Sequence, residues 1–226
     1  MKVQVIVPAA GSGTRLKASR PKPLLMLGGK PILMYSLGIF ERLSFVDSVI
    51  VVARKDQVRD FEKTIAKFRL RKVKSVVVGG KTRADSVACG LRQLDPDTDV
   101  VIVHDAARPF VTMKMMQDGL AFMTKEKAVI VAVPVKPTIK KVDPKNFCVQ
   151  ETLARDTLWE VQTPQFFKKS VLIKAHQKML CCAPTDDAVL VEKMGAKVKV
   201  VMGDYRNIKI TTKEDLILAE GFVGKR

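Results

Sequence analysis

Residues 8–16, PAAGSGTRL, combine two glycines and an arginine directly after a short apolar run. Glycines let a backbone turn tightly and present its N–H groups, and an arginine guanidinium can hold phosphate oxygens through two hydrogen bonds. Lys22 follows between Pro21 and Pro23, which restrict the backbone around it. Because an arginine and a lysine on one long loop suit several phosphates, this stretch is predicted to wrap a triphosphate.

Two better-known phosphate loops fit the same region less well. A dinucleotide loop requires G-x-G-x-x-G, but Leu16 stands at the third glycine, and no acidic residue ends the second predicted strand near Ala53. An ATPase loop requires G-x-x-x-x-G-K-[ST], and residues 79–82, GGKT, match only its end. Ser75 stands where its first glycine belongs, so the triphosphate loop remains the preferred interpretation.

Other reactive side chains lack the spacing of a metal or nucleophile site. The spacing of the cysteines and histidines does not match a metal site. These residues are Cys89, Cys148, Cys181, Cys182, His104 and His176. The cysteines are therefore predicted to be reduced thiols. Asp186 and Asp187 could resemble a metal pair, but after Thr185 they are predicted to cap the next helix.

Asp105 is the carboxylate most favoured as functional, because it follows a predicted strand. The alternative is that it caps the following turn. His104 precedes it and is predicted to be a strand-end histidine rather than an acid–base partner, since neighbouring strand residues face opposite sides.

Elements that could position these residues alternate along the chain. Continuous apolar runs predict strands at residues 3–7, 49–52, 76–78, 100–103 and 129–133. Helical patterns occur at residues 31–43, 56–67, 83–94, 114–124, 170–180 and 212–222. The alternation predicts one α/β domain with a mostly parallel, Rossmann-like sheet flanked by helices, whose site lies at the carboxyl ends of the strands.

One segment interrupts this alternation. Residues 138–153 alternate in character around a turn sequence at residues 143–146, DPKN, which predicts a β-hairpin. It could protrude as an arm toward a second subunit or fold back on its own domain, and the pattern does not distinguish the two.

Composition and net charge narrow the classes of protein to which the chain can belong. The chain has 226 residues, 47% of them hydrophobic, and no apolar run reaches the roughly 18 residues that span a bilayer. These features predict a soluble cytoplasmic protein. The net charge of +17 attracts anions, including nucleic acid, but the charges are spread along the chain without an aromatic ladder. A basic surface is therefore preferred to a nucleic-acid site.

Seven short stretches, in this order, carry a resemblance to a known family: VPAAGSGTRL, PKPLLMLGGKPIL, GGKTRADSV, VHDAARPF, TPQFF, TDDA and NIKIT. Together they resemble the 2-C-methyl-D-erythritol 4-phosphate cytidylyltransferases of the non-mevalonate isoprenoid pathway. The resemblance implies a nucleotide-diphospho-sugar-transferase-type fold over residues 1–226, with residues 137–156 as a dimerisation arm. It also implies transfer of cytidylyl from CTP to a sugar-alcohol phosphate, with Mg²⁺ bound mainly through the CTP phosphates.

The resemblance assigns roles residue by residue. The residues implied to line the nucleotide are Ala9, Ala10, Gly11, Gly13, Gly80, Lys81, Ser86 and Asp105. Those implied to stabilise the transferring phosphates are Arg15, Lys22, Arg155 and Lys209. Those implied to bind the acceptor, partly from the neighbouring subunit, are Asp105, Arg108, Thr138, Arg155, Thr163 and Lys209. Arg15 and Lys22 are further expected to be exposed loop cations.

Three positions depart from the family pattern. Pro23 replaces a frequent glutamine, Lys81 a frequent acidic residue, and Pro137 a frequent aspartate. Within the same chemistry, a ribitol 5-phosphate cytidylyltransferase is the alternative, but HDAARP at residues 104–109 and the VPAAG start favour methylerythritol phosphate. From another class, a non-catalytic nucleotide- or nucleic-acid-binding protein remains the alternative that the net charge supports.

Overall fold

The computed structural model describes residues 1–11, 20–178 and 184–224. The strands are β1 Val3–Pro8, β2 Met26–Leu27, β3 Lys30–Pro31, β4 Ser48–Ala53, β5 Val73–Val78, β6 Val100–Val103, β7 Ala128–Pro134, β8 Lys140–Val142, β9 Val149–Thr152, β10 Trp159–Lys168 and β11 Lys199–Met202. The helices are α1 Ile32–Arg42, α2 Val58–Lys67, α3 Arg83–Leu91, α4 Met113–Phe122, α5 Lys169–Lys178, α6 Ala188–Glu192 and α7 Lys213–Val223. Short 3₁₀ turns occur at Lys22–Leu24 and Arg155–Thr157.

The central sheet has seven strands in the order β11-β7-β10-β6-β1-β4-β5. Every neighbouring pair is parallel except those of β10, which runs antiparallel to both β6 and β7. The runs of valine and isoleucine in β1, β4, β6 and β7 are buried on both sides, as expected for strands covered by helices on each face. The predicted α/β fold is confirmed.

Helices cover both faces of this sheet. Apolar side chains of α1, α2 and α4 form one core layer with the sheet, and those of α3, α5 and α6 form the other. A third, smaller cluster joins α7 to β2 and to Phe110. Gly119 lets α4 approach the sheet closely, because a Cβ there would overlap the Phe166 ring on β10. The two layers hold the strand ends, and thus the loops that follow them, in fixed positions.

The strand that contains residues 163–167 is missing from the strands predicted from sequence. These residues lie within β10, and the helix begins only at Lys169. Buried polar residues explain the omission, because Gln162, Thr163 and Gln165 interrupt the apolar run that marks the other strands. Their pairing with β7 shifts register between Gln162 and Gln165, an irregularity that redirects side chains locally.

The predicted hairpin is present. β8 and β9 pair antiparallel with each other in a separate two-stranded sheet, and all seven of their residues are exposed. Phe147, between the two strands, is 82% exposed. Within the described parts of the chain, no helix is long and apolar enough to cross a membrane.

Candidate active site

A cleft of about 490 Å³ opens at the carboxyl ends of the strands, where the loops after β1, β5 and β6 meet the segment before α7. The residues that line it are Pro8, Ala9, Ala10, Gly11, Lys22, Pro23, Arg54, Gly80, Lys81, Thr82, Arg83, Ser86, Asp105, Ala106, Ala107 and Lys209. Stretches quoted from widely separated parts of the sequence thus meet at one place, as the parallel-sheet prediction requires.

The loop after β1 forms one side of the cleft. Ala9 is buried, and its N–H donates to the Val52 carbonyl on β4 at 2.7 Å, which fixes how the loop leaves β1. A Cβ placed at Gly11 would meet no atom of the described residues within 4 Å. Lys22 lies on the first 3₁₀ turn and is half-buried rather than exposed, which corrects the expectation from sequence. Gly13 and Arg15 lie outside the described residues.

The loop after β5 ends in the N-terminus of α3. The Thr82 hydroxyl accepts from the Asp85 N–H at 3.1 Å, and the Asp85 carboxylate accepts from the Thr82 N–H at 3.0 Å, forming a capping box. A Cβ at Gly80 would overlap Asp85, so this tight approach needs glycine. Ser86 is buried and donates to the Thr82 carbonyl at 2.9 Å, whereas Lys81 is exposed.

Asp105 is the only carboxylate among the described residues that line the cleft, and two cations hold it. Its Oδ1 lies 3.0 Å from Arg83 Nε, and its Oδ2 lies 2.7 Å from Lys209 Nζ. Burial by itself raises the pKa of Asp105, but Arg83 and Lys209 outweigh it and bring the pKa well below its usual range. The carboxylate is therefore ionised throughout the physiological range.

His104 and Thr163 support Asp105 from below the cleft. The Asp105 N–H donates to Thr163 Oγ1 at 3.0 Å, and that hydroxyl lies 3.2 Å from His104 Nδ1. His104 Nε2 lies 3.0 Å from the Arg108 carbonyl, which can only accept, so Nε2 carries the ring proton and Thr163 donates to Nδ1. Burial lowers the pKa of His104 to about 4, so the ring is neutral at pH 7. The expectation that His104 is not an acid–base partner of Asp105 agrees with this geometry.

Arg108 is likewise buried beneath the cleft. Its Nη1 donates to the Asn207 carbonyl at 2.7 Å and its Nη2 to the Val161 carbonyl at 3.3 Å. Nε has no hydrogen-bond partner among the described residues. Asn207 is fully buried, and its amide donates to the Thr163 carbonyl at 2.9 Å. These contacts tie the segment that carries Lys209 to both β10 and the loop after β6.

Two predicted acceptor residues lie away from the cleft of this chain. Thr138 is exposed before β8, and Arg155 is exposed on the second 3₁₀ turn, where its Nη1 donates to the Lys136 carbonyl at 2.8 Å. Neither lines the cleft. Both sit at the base of the hairpin formed by β8 and β9.

Sequence reasoning missed Arg83, which lies inside the quoted stretch GGKTRADSV. Its Nη1 lies 2.7 Å from Asp187 Oδ2, and the other Asp187 oxygen lies 2.9 Å from His176 Nε2. Asp187 was expected to cap α6, but its side chain makes no capping hydrogen bond. Asp186 does cap the helix, since its Oδ1 accepts from the Val189 N–H at 3.0 Å. The long separation of Arg83 and Asp187 in sequence left no spacing signal to find.

Arg54 was also missed. It follows β4 and lines the cleft, and its Nε and Nη2 each lie 3.1 Å from an oxygen of Asp56. This two-point contact offsets part of the positive charge that Arg54 brings to the cleft.

Comparison with known proteins matches nearly the whole chain to one family. The model of the 2-C-methyl-D-erythritol 4-phosphate cytidylyltransferase family matches residues 3–225. Proteins of that name from Alkaliphilus metalliredigens and Caldanaerobacter subterraneus are 46% and 43% identical to the chain over its full length, which covers 94% and 100% of theirs.

Solved structures agree. The crystal structure of 4-diphosphocytidyl-2C-methyl-D-erythritol synthase from Anaerococcus prevotii matches with a TM-score of 0.86 and 35% identity, covering 99% of this chain and 98% of that one. The 2-C-methyl-D-erythritol 4-phosphate cytidylyltransferase of Thermus thermophilus matches with a TM-score of 0.78 and 30% identity, covering 99% and 100%.

Proposed function

The chain belongs to the 2-C-methyl-D-erythritol 4-phosphate cytidylyltransferase family, and we propose that the cleft around Asp105 is where it joins CTP to the acceptor. The reaction of this nucleotidyltransferase combines CTP with 2-C-methyl-D-erythritol 4-phosphate and gives 4-diphosphocytidyl-2-C-methyl-D-erythritol and pyrophosphate. The observation that carries the assignment of the site is the meeting of the motif loops in one cleft lined by Lys22, Lys209 and Asp105.

We propose an in-line transfer. A phosphate oxygen of the acceptor attacks the α-phosphorus of CTP and forms a new P–O bond, while the bond from that phosphorus to the bridging oxygen breaks and pyrophosphate leaves. The attacking phosphate is already an anion, so no general base is required. The environment of His104 agrees with a reaction that needs no base. The ring is neutral, and its nitrogens face Thr163 and the Arg108 carbonyl, so it is not placed to take a proton from a substrate in the cleft.

Cations would lower the repulsion between the two phosphate-bearing substrates. Lys22 and Lys209 line the same cleft, and a lysine about 4 Å from a phosphate contributes about 4 kcal/mol of attraction at an effective dielectric constant near 20. Lys209 is suited to the α-phosphate because its side chain is 39% exposed and lies next to Asp105. Arg15, outside the described residues, remains a predicted partner of the triphosphate.

The opposite wall suits the nucleoside. Backbone groups at Ala9, Ala10 and Gly11 and at Gly80 and Lys81 border the cleft next to the α3 N-terminus. Cytosine readout through backbone groups agrees with the lysine at position 81, where the family frequently has an acidic residue. Ser86 holds this loop, because its hydroxyl donates a hydrogen bond to the Thr82 carbonyl. Ser86 also lines this side of the cleft.

Magnesium fits the donor set of this cleft. Mg²⁺ commonly binds through one or two carboxylates together with substrate phosphates, and Asp105 supplies an ionised carboxylate beside the proposed phosphate site. Mg²⁺ would be held mainly by the CTP phosphates, with the Asp105 carboxylate beside it. When bound, Mg²⁺ neutralises charge that develops on the phosphate oxygens.

The acceptor side of the proposal involves a second subunit. We propose that residues 1–226 form one domain whose arm, residues 137–156, crosses to a partner in a homodimer. This arrangement is supported by the exposure of all seven residues of β8 and β9 and by the position of Thr138 and Arg155 away from the cleft. Arg108 and Thr163 would act on the acceptor side by fixing the loop that carries Asp105. We expect the enzyme in the cytoplasm.

An activity matrix tests the proposal. The protein is incubated with Mg²⁺, each of CTP, ATP, GTP and UTP, and either 2-C-methyl-D-erythritol 4-phosphate or ribitol 5-phosphate, and pyrophosphate release is measured. We expect turnover with CTP and methylerythritol phosphate. Release only with ribitol 5-phosphate would overturn the acceptor assignment. Salt-sensitive nucleic-acid binding without turnover in any combination would contradict the enzymatic one.

A further inference from the structure

Arg83 differs from the other cations of the cleft in how firmly it is held. It is the first residue of α3, whose start is fixed by the Thr82–Asp85 capping box. Its guanidinium then spans two carboxylates, with Nε 3.0 Å from Asp105 and Nη1 2.7 Å from Asp187. The planar fork of arginine makes two such contacts at once, which a lysine ammonium cannot reproduce with the same geometry.

Asp187 is a buried attachment point for that fork. Its side chain is 1% exposed, and its second oxygen lies 2.9 Å from Nε2 of His176, which is also buried. Burial raises the pKa of Asp187, but Arg83 and His176 outweigh it, so its pKa lies below the ordinary value. An ionised, buried Asp187 holds Arg83 strongly, because separating them would leave a charge unpaired in the interior.

Lys209, by contrast, can leave Asp105. Its side chain is 39% exposed, against 24% for Arg83 and 10% for Asp105. If Lys209 turns to the α-phosphate, as proposed above, Asp105 loses one of its two cations. Arg83 cannot follow, because Asp187 holds it, and so it continues to fix the orientation of the carboxylate.

We infer that Arg83 is a positioning residue for cytidylyl transfer: anchored by Asp187, it holds the Asp105 carboxylate in its working orientation while Lys209 engages phosphate. The inference rests on the proposed role of Asp105 in the cleft. It gives the buried Asp187–His176 pair a function at a distance from the substrates, and it explains why an arginine stands at the first position of α3.

Paired variants separate positioning from simple charge balance. Arg83→Gln alone leaves Asp187 without its main partner and can impair folding. The double variant Arg83→Gln/Asp187→Asn removes both charges and leaves no unpaired carboxylate at position 187. Arg92→Gln is the matched control, because Arg92 ends the same helix, is exposed, and does not line the cleft. Asp105→Asn tests the underlying role of Asp105.

Thermal unfolding, kcat and the KM for CTP are measured for each variant, with CTP and 2-C-methyl-D-erythritol 4-phosphate as substrates. We expect the double variant to melt within about 4 °C of the wild type and to lose about 10- to 100-fold in kcat. Asp187→Asn alone should lose less than the double variant, because Arg83 still reaches Asp105. Arg92→Gln should change kcat less than about threefold.

The outcomes separate the proposed role of Asp105 from the inferred role of Arg83. If Asp105→Asn is slow but the double variant keeps the kcat of Asp187→Asn, Arg83 only balances charge and the inference is overturned. If Asp105→Asn itself turns over normally, the proposed role of Asp105 fails and the inference falls with it. A double variant that melts far below Asp187→Asn would assign Arg83 to folding instead and would also overturn the inference.

Discussion

At the scale of single residues, the cleft depends on cations with different freedom of movement. Arg83 contacts two carboxylates at once, whereas Lys209 contacts one and is more exposed. If the cleft binds CTP as proposed, both kinds of cation are useful, because Arg83 keeps the carboxylate oriented while Lys209 follows the phosphate.

Lys22→Ala tests the phosphate-binding role of a lysine on the first loop. We expect kcat to fall by about 100-fold, since one charge that stabilises the transition state is lost. Steady-state kinetics on the purified variant measure the effect. Lys114→Ala serves as the control, because Lys114 is 80% exposed and, among the described residues, pairs only with Asp118 at 2.6 Å, outside the cleft. Equal turnover in both variants would remove Lys22 from the mechanism.

His104 gives a prediction about pH. Its ordinary pKa of 6.5 is lowered to about 4 by burial, so the unfolded chain takes up a proton at a higher pH than the folded protein does. Stability contributed by neutral His104 is therefore complete above pH 6.5 and is lost as pH falls toward 4. The difference corresponds to about 3 kcal/mol of unfolding free energy.

Urea unfolding of wild type and His104→Gln between about pH 7 and about pH 4 measures this loss. We expect the wild type to lose about 3 kcal/mol more than the variant over this interval. The contribution of Asp105 is lost at lower pH, because its pKa lies below its ordinary value of 3.8. Parallel pH profiles for the two proteins would show that His104 is already charged near pH 6.

At the scale of elements, the approach of α4 to β10 depends on a missing side chain. Gly119→Ala should lower the unfolding free energy by about 1–3 kcal/mol, because the new Cβ would overlap the Phe166 ring in a filled core. Denaturant unfolding measures the change.

Gly38→Ala on α1 is the matched substitution, since no atom of the described part of the chain lies within 4 Å of a Cβ placed there. Alanine favours a helix over glycine, so this variant should gain about 0.5–1 kcal/mol. Destabilisation of both proteins to the same extent would show that packing against Phe166 does not decide the result.

Much of the framework was predictable because its strands are apolar on both faces. β1, β4, β6 and β7 appear in the sequence as runs rich in valine and isoleucine, and the loops that follow them carry most of the predicted site. β10 was not predictable in the same way, because it buries Gln162, Thr163 and Gln165 through hydrogen bonds rather than through apolar contact.

The part of the candidate site that could be predicted from sequence consists of residues in short local motifs. Gly80, Lys22 and Lys209 line the cleft, and they could be picked out from sequence because their motifs are short continuous stretches. The link from Asp105 through Arg83 to Asp187 joins three distant stretches, and charge compensation between distant residues has no local pattern. The same holds for the contact of Thr163 with the Asp105 N–H, which requires β10 to lie beside the end of β6.

At the scale of the whole molecule, the arm leads to a prediction about assembly. Phe147→Asp places a charge on the tip of the hairpin, where the wild-type ring is 82% exposed. If the arm crosses to a second copy, this variant should sediment as a monomer and lose activity, while the wild type sediments at twice the chain mass. Analytical ultracentrifugation across a concentration series measures both.

Ile217→Asp is the corresponding control, because Ile217 is 73% exposed on α7, outside the arm. It should keep the wild-type sedimentation and turnover. Dissociation caused by Ile217→Asp rather than by Phe147→Asp would move the proposed interface from the hairpin to α7.

The position of β10 in the sheet also determines when during synthesis the sheet can be completed. The neighbours β5, β4, β1 and β6 are all complete by residue 103, so this half of the sheet can assemble while a ribosome is still adding the rest. β7 is synthesised next, but both of its partners, β10 and β11, come later in the chain. A nascent chain paused before Trp159 therefore exposes the open edges of two apolar strands, which is the stage at which chaperone protection against aggregation matters most.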